Sequence, residues 1–193
     1  MRNIICAMQV SLDGFIEGPS GELDWIENWE DSYGLMAQAD TCVLGAGMYP
    51  GYEQYSSAVL EAPGAPLPFS GKPATAGEVD YAKWAHQTPH VVLSKSMQRA
   101  AWQATRIVGE FDDIARLKQQ SGKDIYAIGG AKFVSGLIAR GWVDELCLAI
   151  HPVLLGRGKA LFEDSSQRHK LALAQTRPLP WGTVEFTYRL AGA

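Results

Sequence analysis

Cysteine is scarce in this chain, with three in 193 residues. Cys6, Cys42 and Cys147 lie far apart and each sits inside an apolar run, which argues against a disulfide framework or a zinc site and for buried free thiols. Histidine is nearly as rare. His86, His90, His151 and His169 show neither metal-ligand spacing nor a neighbouring nucleophile, so no metal site and no Ser-His-Asp triad is expected. No apolar run approaches membrane-spanning length, and the N-terminal residues lack the longer apolar segment and cleavage site of a signal peptide. A cytoplasmic protein with no membrane partner is the expectation. Positive charge is also not in excess: 17 Lys and Arg stand against 21 Asp and Glu, a formal net charge of -4. Nucleic acid is therefore not an expected partner, although a local basic patch could still hold an anionic cofactor.

What is present suffices for one domain over residues 1–193, because 47% of the residues are hydrophobic and the buried fraction of surface rises with length. Residues 4–10 read as a buried first strand that runs into the turn Ser11-Leu12-Asp13-Gly14. In residues 22–39, Leu23, Ile26, Trp29, Tyr33, Met36 and Ala37 recur at helical spacing, so a helix is predicted there. Buried strands follow at 41–44, 91–93 and 105–108, with a short helix after the second strand and another around 81–86. The proline- and glycine-rich residues 58–77 read as a long irregular loop. A helix at 111–120 leads to a strand at 124–128, the turn Gly129-Gly130, a helix at 131–140 closed by Gly141, and a strand at 144–150. Residues 171–176 and 183–190 look like an antiparallel pair. Strands alternating with helices and ending in a hairpin predict an α/β fold: a mostly parallel central sheet, helices on both faces, and an antiparallel C-terminal edge.

The strongest local signal is the strand that feeds Gly129-Gly130-Ala131-Lys132, since free N–H groups and a helix dipole there would face a pyrophosphate. The spacing is not that of the G-x-G-x-x-G fingerprint, and a Gly-Gly turn is often purely structural. Two other clusters, Gly45-Ala46-Gly47 and Ser94-Lys95-Ser96, fall at equivalent strand ends, where open α/β sheets bind their ligands.

In order, these segments resemble the dihydrofolate-reductase-like superfamily, and within it the reductase domain of riboflavin biosynthesis. The resemblance spans nearly the whole chain. It is carried by Ser11-Leu12-Asp13-Gly14-Phe15-Ile16, by Val43-Leu44-Gly45 with Tyr49, by Val92-Leu93-Ser94-Lys95-Ser96, and by Ala127-Ile128-Gly129-Gly130 with Leu137-Ile138. Val143-Asp144-Glu145-Leu146 leading to Pro152-Val153-Leu154-Leu155-Gly156-Arg157-Gly158 and Leu161-Phe162 completes it. The resemblance implies a three-layer, homodimeric reductase that binds NADPH across the carboxyl ends of the sheet. Gly129, Gly130, Ala131 and Lys132, with Phe133 beside them, would surround the pyrophosphate. Gly45, Ala46, Gly47 and Met48 would pass close to the phosphates, Ser94 and Lys95 after Leu93 would hold the adenosine 2′-phosphate, and Ala7 and Ile16 would line the nicotinamide pocket. Folate-reducing relatives commonly carry Arg and Thr where this chain has Ala46 and Met48, so one phosphate anchor is missing unless Lys95, Lys132 or Lys72 supplies the charge.

Hydride transfer leaves the protein to supply alignment and a proton source. Asp24, predicted at the start of the first helix beside Trp25, is the candidate acid, although the helix dipole alone would favour an acidic residue there. Asp13 is a second catalytic or substrate-binding candidate, or ordinary Asp-Gly turn chemistry. Trp25 and Glu145 are further substrate-binding candidates. The expected reaction is reduction of a small pterin-like or ribosylaminopyrimidine-like heterocycle. No zinc-deaminase signature accompanies the domain. A non-catalytic nucleotide-binding or dimeric interaction module on the same scaffold is the alternative, and a strict folate reducer is a third reading.

Overall fold

The computed structural model describes residues 1–162 and 167–190. Strand β1 (Ile4–Ser11) is apolar at most positions because helices cover both of its faces, as in parallel α/β sheets. The small strand β2 (Phe15–Glu17) follows it. Strands β3 (Ala39–Gly45), β4 (His90–Leu93) and β5 (Thr105–Val108) lie parallel to β6 (Asp124–Gly129), and β1 is parallel to both β6 and β7 (Glu145–His151). β8 (Lys159–Ala160) pairs with β2. β9 (Leu171–Pro178) and β10 (Val184–Leu190) form the antiparallel edge, giving the order β5-β4-β3-β6-β1-β7-β10-β9.

Among the described residues, five helices flank this sheet. The short α1 (Leu35–Gln38), α2 (Tyr49–Glu61) and α3 (Ala76–Gln87) cover one face, where Leu35 packs on Ile5, Tyr52 and Ala85 pack on Cys42 and Val92, and Val59 packs with Leu67 and Ala82. On the other face, α4 (Phe111–Lys118) and α5 (Ala131–Ala139) bring Ile114, Leu117, Val134 and Leu137 onto Ile4, Cys6 and Val10. Leu137 is fully buried there. Truncating such a leucine to alanine removes about 2–5 kcal/mol, because the cavity adds to the lost transfer energy. All three cysteines are free and buried. Among the described residues, no helix is long and apolar enough to cross a membrane.

The helix expected over 22–39 is not formed: residues 22–34 are irregular and only Leu35–Gln38 is helical. The reason lies in where the backbone donors go. Trp29 N donates to the Glu78 carboxylate at 3.1 Å, Glu30 N to Asn28 at 3.2 Å, and Leu35 N and Met36 N both to Asp31 at 2.7 Å. Side-chain acceptors have replaced the carbonyls of the preceding turn. Gly34, at φ 70, then starts α1 from a left-handed conformation open to glycine.

The expected loop at 58–77 is shorter, since α2 runs to Glu61 and α3 begins at Ala76. The start of α3 is a capping box: the Thr75 hydroxyl accepts from Glu78 N at 3.1 Å, and the Glu78 carboxylate accepts from Thr75 N at 2.9 Å. The same carboxylate accepts from the Tyr55 hydroxyl at 2.8 Å. Glu78 therefore joins α2, α3 and the irregular segment.

Candidate active site

The parallel strands all end at one edge of the sheet, which brings Gly45, Leu93 and Gly129 into neighbouring positions. Gly45 packs closely: a Cβ there would lie 3.1 Å from the Cβ of Phe133, which would have to give way slightly. Gly129 has φ 132, and a Cβ on it would meet the Met8 sulfur at 3.0 Å. The Gly129-Gly130 peptide is cis. α2 and α5 start beside this edge, and neither has a side-chain cap at its N-terminus. Cβ atoms built on Gly47 or Gly130 would point into open space.

A cleft of about 130 Å³ adjoins this edge, bordered by Ala7, Ile16, Met48 and Gly130. Its other walls come from the irregular segment, through Ile26, Trp29 and Asp31, and from a group of tyrosines. Tyr52 and Tyr55 project from α2, Tyr81 from α3 and Tyr126 from β6. Burial raises the Tyr52, Tyr81 and Tyr126 phenols well above their ordinary range, so all three remain hydroxyls. Tyr126 stands beside Tyr81, whose hydroxyl lies 3.4 Å from that of Tyr52, which in turn lies 3.4 Å from His90 Nε2. His90 Nδ1 is 2.7 Å from the Thr88 carbonyl and so carries the ring proton. Burial holds this imidazole down at about 4, which makes it a neutral acceptor at the inner end of the chain.

A second histidine acts on the cleft from below. His151 Nε2 lies 2.7 Å from Gln9 Oε1, and Thr183 Oγ1 lies 3.2 Å from Nδ1. Burial lowers the His151 pKa, and a neutral ring donating to Gln9 and accepting from Thr183 satisfies all three groups. The amide nitrogen of Gln9, which lines the cleft, is thereby left free to donate.

The structure places the sequence candidates unevenly. Ala7, Ile16 and Met48 border the cleft, and Gly45, Ala46, Gly47, Gly130, Ala131 and Lys132 follow the strand ends beside it. Leu93 and Phe133 turn into the core, with Phe133 stacked on Phe111 at 5.9 Å. Ser94 Oγ caps its own loop by accepting from Met97 N at 2.9 Å, and Lys95 pairs with Glu110 at 3.1 Å. Lys72 pairs with Glu27 at 3.5 Å.

Asp24 is exposed, sits in a turn instead of a helix, and does not line the cleft. The burial expected to tune it is missing because the helix that would have turned it inward does not form. Glu30 and Asp31 are the acids of this segment that line the cleft, and both Asp31 oxygens are held by the Leu35 and Met36 amides. Asp13 clasps a neighbouring turn, accepting from Ser11 Oγ at 2.7 Å, Gly156 N at 2.7 Å and Leu155 N at 3.2 Å. The Ser11 hydrogen bond leads the causes that lower its pKa. Trp25 packs edge-on against His151 at 5.4 Å, one layer behind Gln9. Glu145 pairs with Arg189 at 3.4 Å and lines a different cleft. The tyrosines were missed, although Tyr49, Tyr52 and Tyr55 are spaced three apart and mark one face of α2.

Comparison with known proteins agrees with this architecture. The chain is 35% identical over 194 residues to the uncharacterized protein YyaP of Bacillus subtilis, covering 99% of this chain and 96% of that one. A putative riboflavin biosynthesis protein from Shewanella sp. PV-4 superposes with a TM-score of 0.72 at 20% identity, covering 98% of this chain and 99% of that one. Dihydrofolate reductase from Enterococcus faecalis superposes with a TM-score of 0.59 at 14% identity, covering 97% and 96%. The fold is thus dihydrofolate-reductase-like. With the RibD C-terminal domain pattern matching residues 2–184, the chain belongs to the RibD C-terminal domain family.

Proposed function

We propose that this protein is a reductase that uses NADPH to reduce a small, flat heterocycle of pterin-like or ribosylaminopyrimidine-like shape. The observation that carries the reading is the adjacency of two uncapped helix N-termini and a tyrosine-lined cleft, with Met48 and Gly130 belonging to both. Uncapped N-termini attract phosphate through free N–H groups and the helix dipole. The residues fit the cofactor, because Gly47 and Gly130 leave open space where side chains would otherwise stand. Gly129, Gly130, Ala131 and Lys132 would hold its pyrophosphate with Gly45, Ala46, Gly47 and Met48. Ser94 and Lys95 would meet the adenosine 2′-phosphate, and Ala7 and Ile16 the nicotinamide. The Enterococcus dihydrofolate reductase was solved with NADP(H), which supports this choice.

When bound, the nicotinamide supplies the hydride. The chain's own residues orient the partner and exclude water. Ile26 and Trp29 provide apolar cover, while the Gln9 amide offers a donor to a ring carbonyl or nitrogen. A homodimer belongs to the same reading, and its natural surface is the edge hairpin. There Phe186 stacks on Tyr188 at 6.0 Å, and Leu171 and Leu173 are 42% and 57% exposed.

The test is a fluorescence titration with NADPH and, in parallel, NADH, following tryptophan quenching. Saturable binding that favours NADPH and is lost in Lys95→Glu is the expected result. Absence of binding by either nucleotide overturns the reading.

A further inference from the structure

Gln9 of β1 and His151 of β7 stand on one face of two neighbouring parallel strands, with Ser11 opposite His151 in register. Thr183, just ahead of β10, completes a row of three polar side chains. His151 and Thr183 are 3% and 1% exposed, so their polar atoms depend on one another and on Gln9 for partners. The Thr183 hydroxyl has one partner among the described residues, His151 Nδ1 at 3.2 Å. A buried hydroxyl must place its proton on an acceptor, and here that acceptor is the Nδ1 lone pair. The ring proton then sits on Nε2, which donates to Gln9 Oε1 at 2.7 Å. In the reverse arrangement Nδ1–H would donate to Thr183 and the Gln9 amide would be turned over, stranding the Thr183 proton in the interior. The Gln9 amide nitrogen is different: it bonds no described residue and is not sealed from solvent, so it opens on the cleft that Gln9 borders.

We propose that Thr183, acting through His151 as a positioning residue, sets the ligand specificity of the cleft by fixing the Gln9 amide with its N–H groups forward. The cleft then selects a flat heterocycle that carries an acceptor at that point, a ring carbonyl or an unprotonated ring nitrogen, and rejects one that carries an amino group there. A glutamine free to turn would not discriminate, because it offers a carbonyl as readily as an amino group. Held in one orientation, it sets donor against donor for the wrong ligand, and a polar group left unpaired on binding discriminates more strongly than a lost apolar contact. Thr183 does this without touching the ligand. The proposal rests on the reading of this cleft as the heterocycle site, and it names the edge by which the heterocycle is recognised.

Imidazole nitrogen NMR on the ligand-free protein at neutral pH tests the lock, and binding of pterin beside 2,4-diaminopteridine tests what the lock does. The second compound exchanges a ring carbonyl of the first for an amino group. Expected are a single neutral His151 tautomer with its proton on Nε2, and pterin bound about tenfold more tightly than the diamino compound. Thr183→Val keeps the shape and removes the hydroxyl, so it should give mixed tautomers and bring the two compounds within about twofold of each other. Thr183→Ser should restore both properties. Gln9→Glu, which turns an acceptor to the cleft from the same position, should reverse the preference. A wild-type proton on Nδ1 overturns the proposal before any ligand is added. So does equal binding of the two compounds, or a pterin preference that survives Thr183→Val or Gln9→Glu. Binding of neither pteridine also overturns it, while the nucleotide titration still decides the reductase reading on its own.

Discussion

Lys95 Nζ lies 3.1 Å from Glu110 Oε1, so the cation assigned to the 2′-phosphate already has an anionic partner. Both side chains are largely exposed, which makes the pair weak and sensitive to salt. The carboxylate also stands where a phosphate would approach, and repels it. Glu110→Gln should therefore tighten NADPH about two- to fivefold at low salt while leaving NADH nearly unchanged. Parallel titrations of the two nucleotides, repeated at high salt, measure the difference.

Two glycines at the same edge should respond in opposite ways. In Gly45→Ala the new methyl presses on Phe133, a core residue with little room to move, and about 1–3 kcal/mol of stability should be lost. Gly47→Ala meets nothing in the protein, so its denaturation midpoint should hold while its affinity for NADPH falls. Urea melts and nucleotide titrations on both variants separate packing from binding.

Acid should unfold the protein partly through His90. Its folded pKa of about 4 is below the ordinary imidazole value of 6.5, so the unfolded chain takes up the proton first. The stability tied to this ring is fully present above the unfolded value and is lost as pH falls from there toward 4, about 3 kcal/mol in all. His151, also lowered by burial, adds in the same direction. Urea midpoints measured between neutral pH and pH 4 should decline, and His90→Gln should flatten that decline.

Arg177→Met leaves the Glu185 carboxylate buried without its cation, and should cost about 3–5 kcal/mol. Tyr33→Phe, by contrast, removes a hydroxyl that bonds no other group among the described residues and should leave the melting temperature level or higher. Calorimetry on the two variants makes the comparison.

If the edge hairpin is a subunit contact, Leu173→Lys should lower the mass seen by light scattering without changing the circular dichroism spectrum. A monomeric wild-type protein would remove the homodimer from the functional reading.

The parallel array was legible in the sequence because β1, β3, β4 and β6 are apolar runs cut off by small or polar residues, and the terminal hairpin because a turn separates its segments. The segment 22–34 was not. Leu23, Ile26, Trp29 and Tyr33 have helical spacing, but they spread over clefts from an irregular backbone. That backbone is held partly by Glu78, a residue 49 positions beyond Trp29, and no local pattern announces such a bond. The cleft was half visible for a related reason. Its glycines and Ala7 lie in recognisable turns and strands, whereas Tyr52, Tyr81 and Tyr126 meet only because α2, α3 and β6 pack together. Glu185 gave a fainter clue, an acidic residue at an inward position of an otherwise ordinary strand.

Glu78 also has a dynamic consequence. One carboxylate closes the first turn of α3, anchors Tyr55 of α2 and holds the amide of Trp29 at the cleft wall. These three segments cannot loosen one at a time without stranding a buried charge, so they should open as a single cooperative unit. Hydrogen exchange would register them with a common protection factor, and the wall of the cleft would inherit the rigidity of two helices despite having no regular structure of its own.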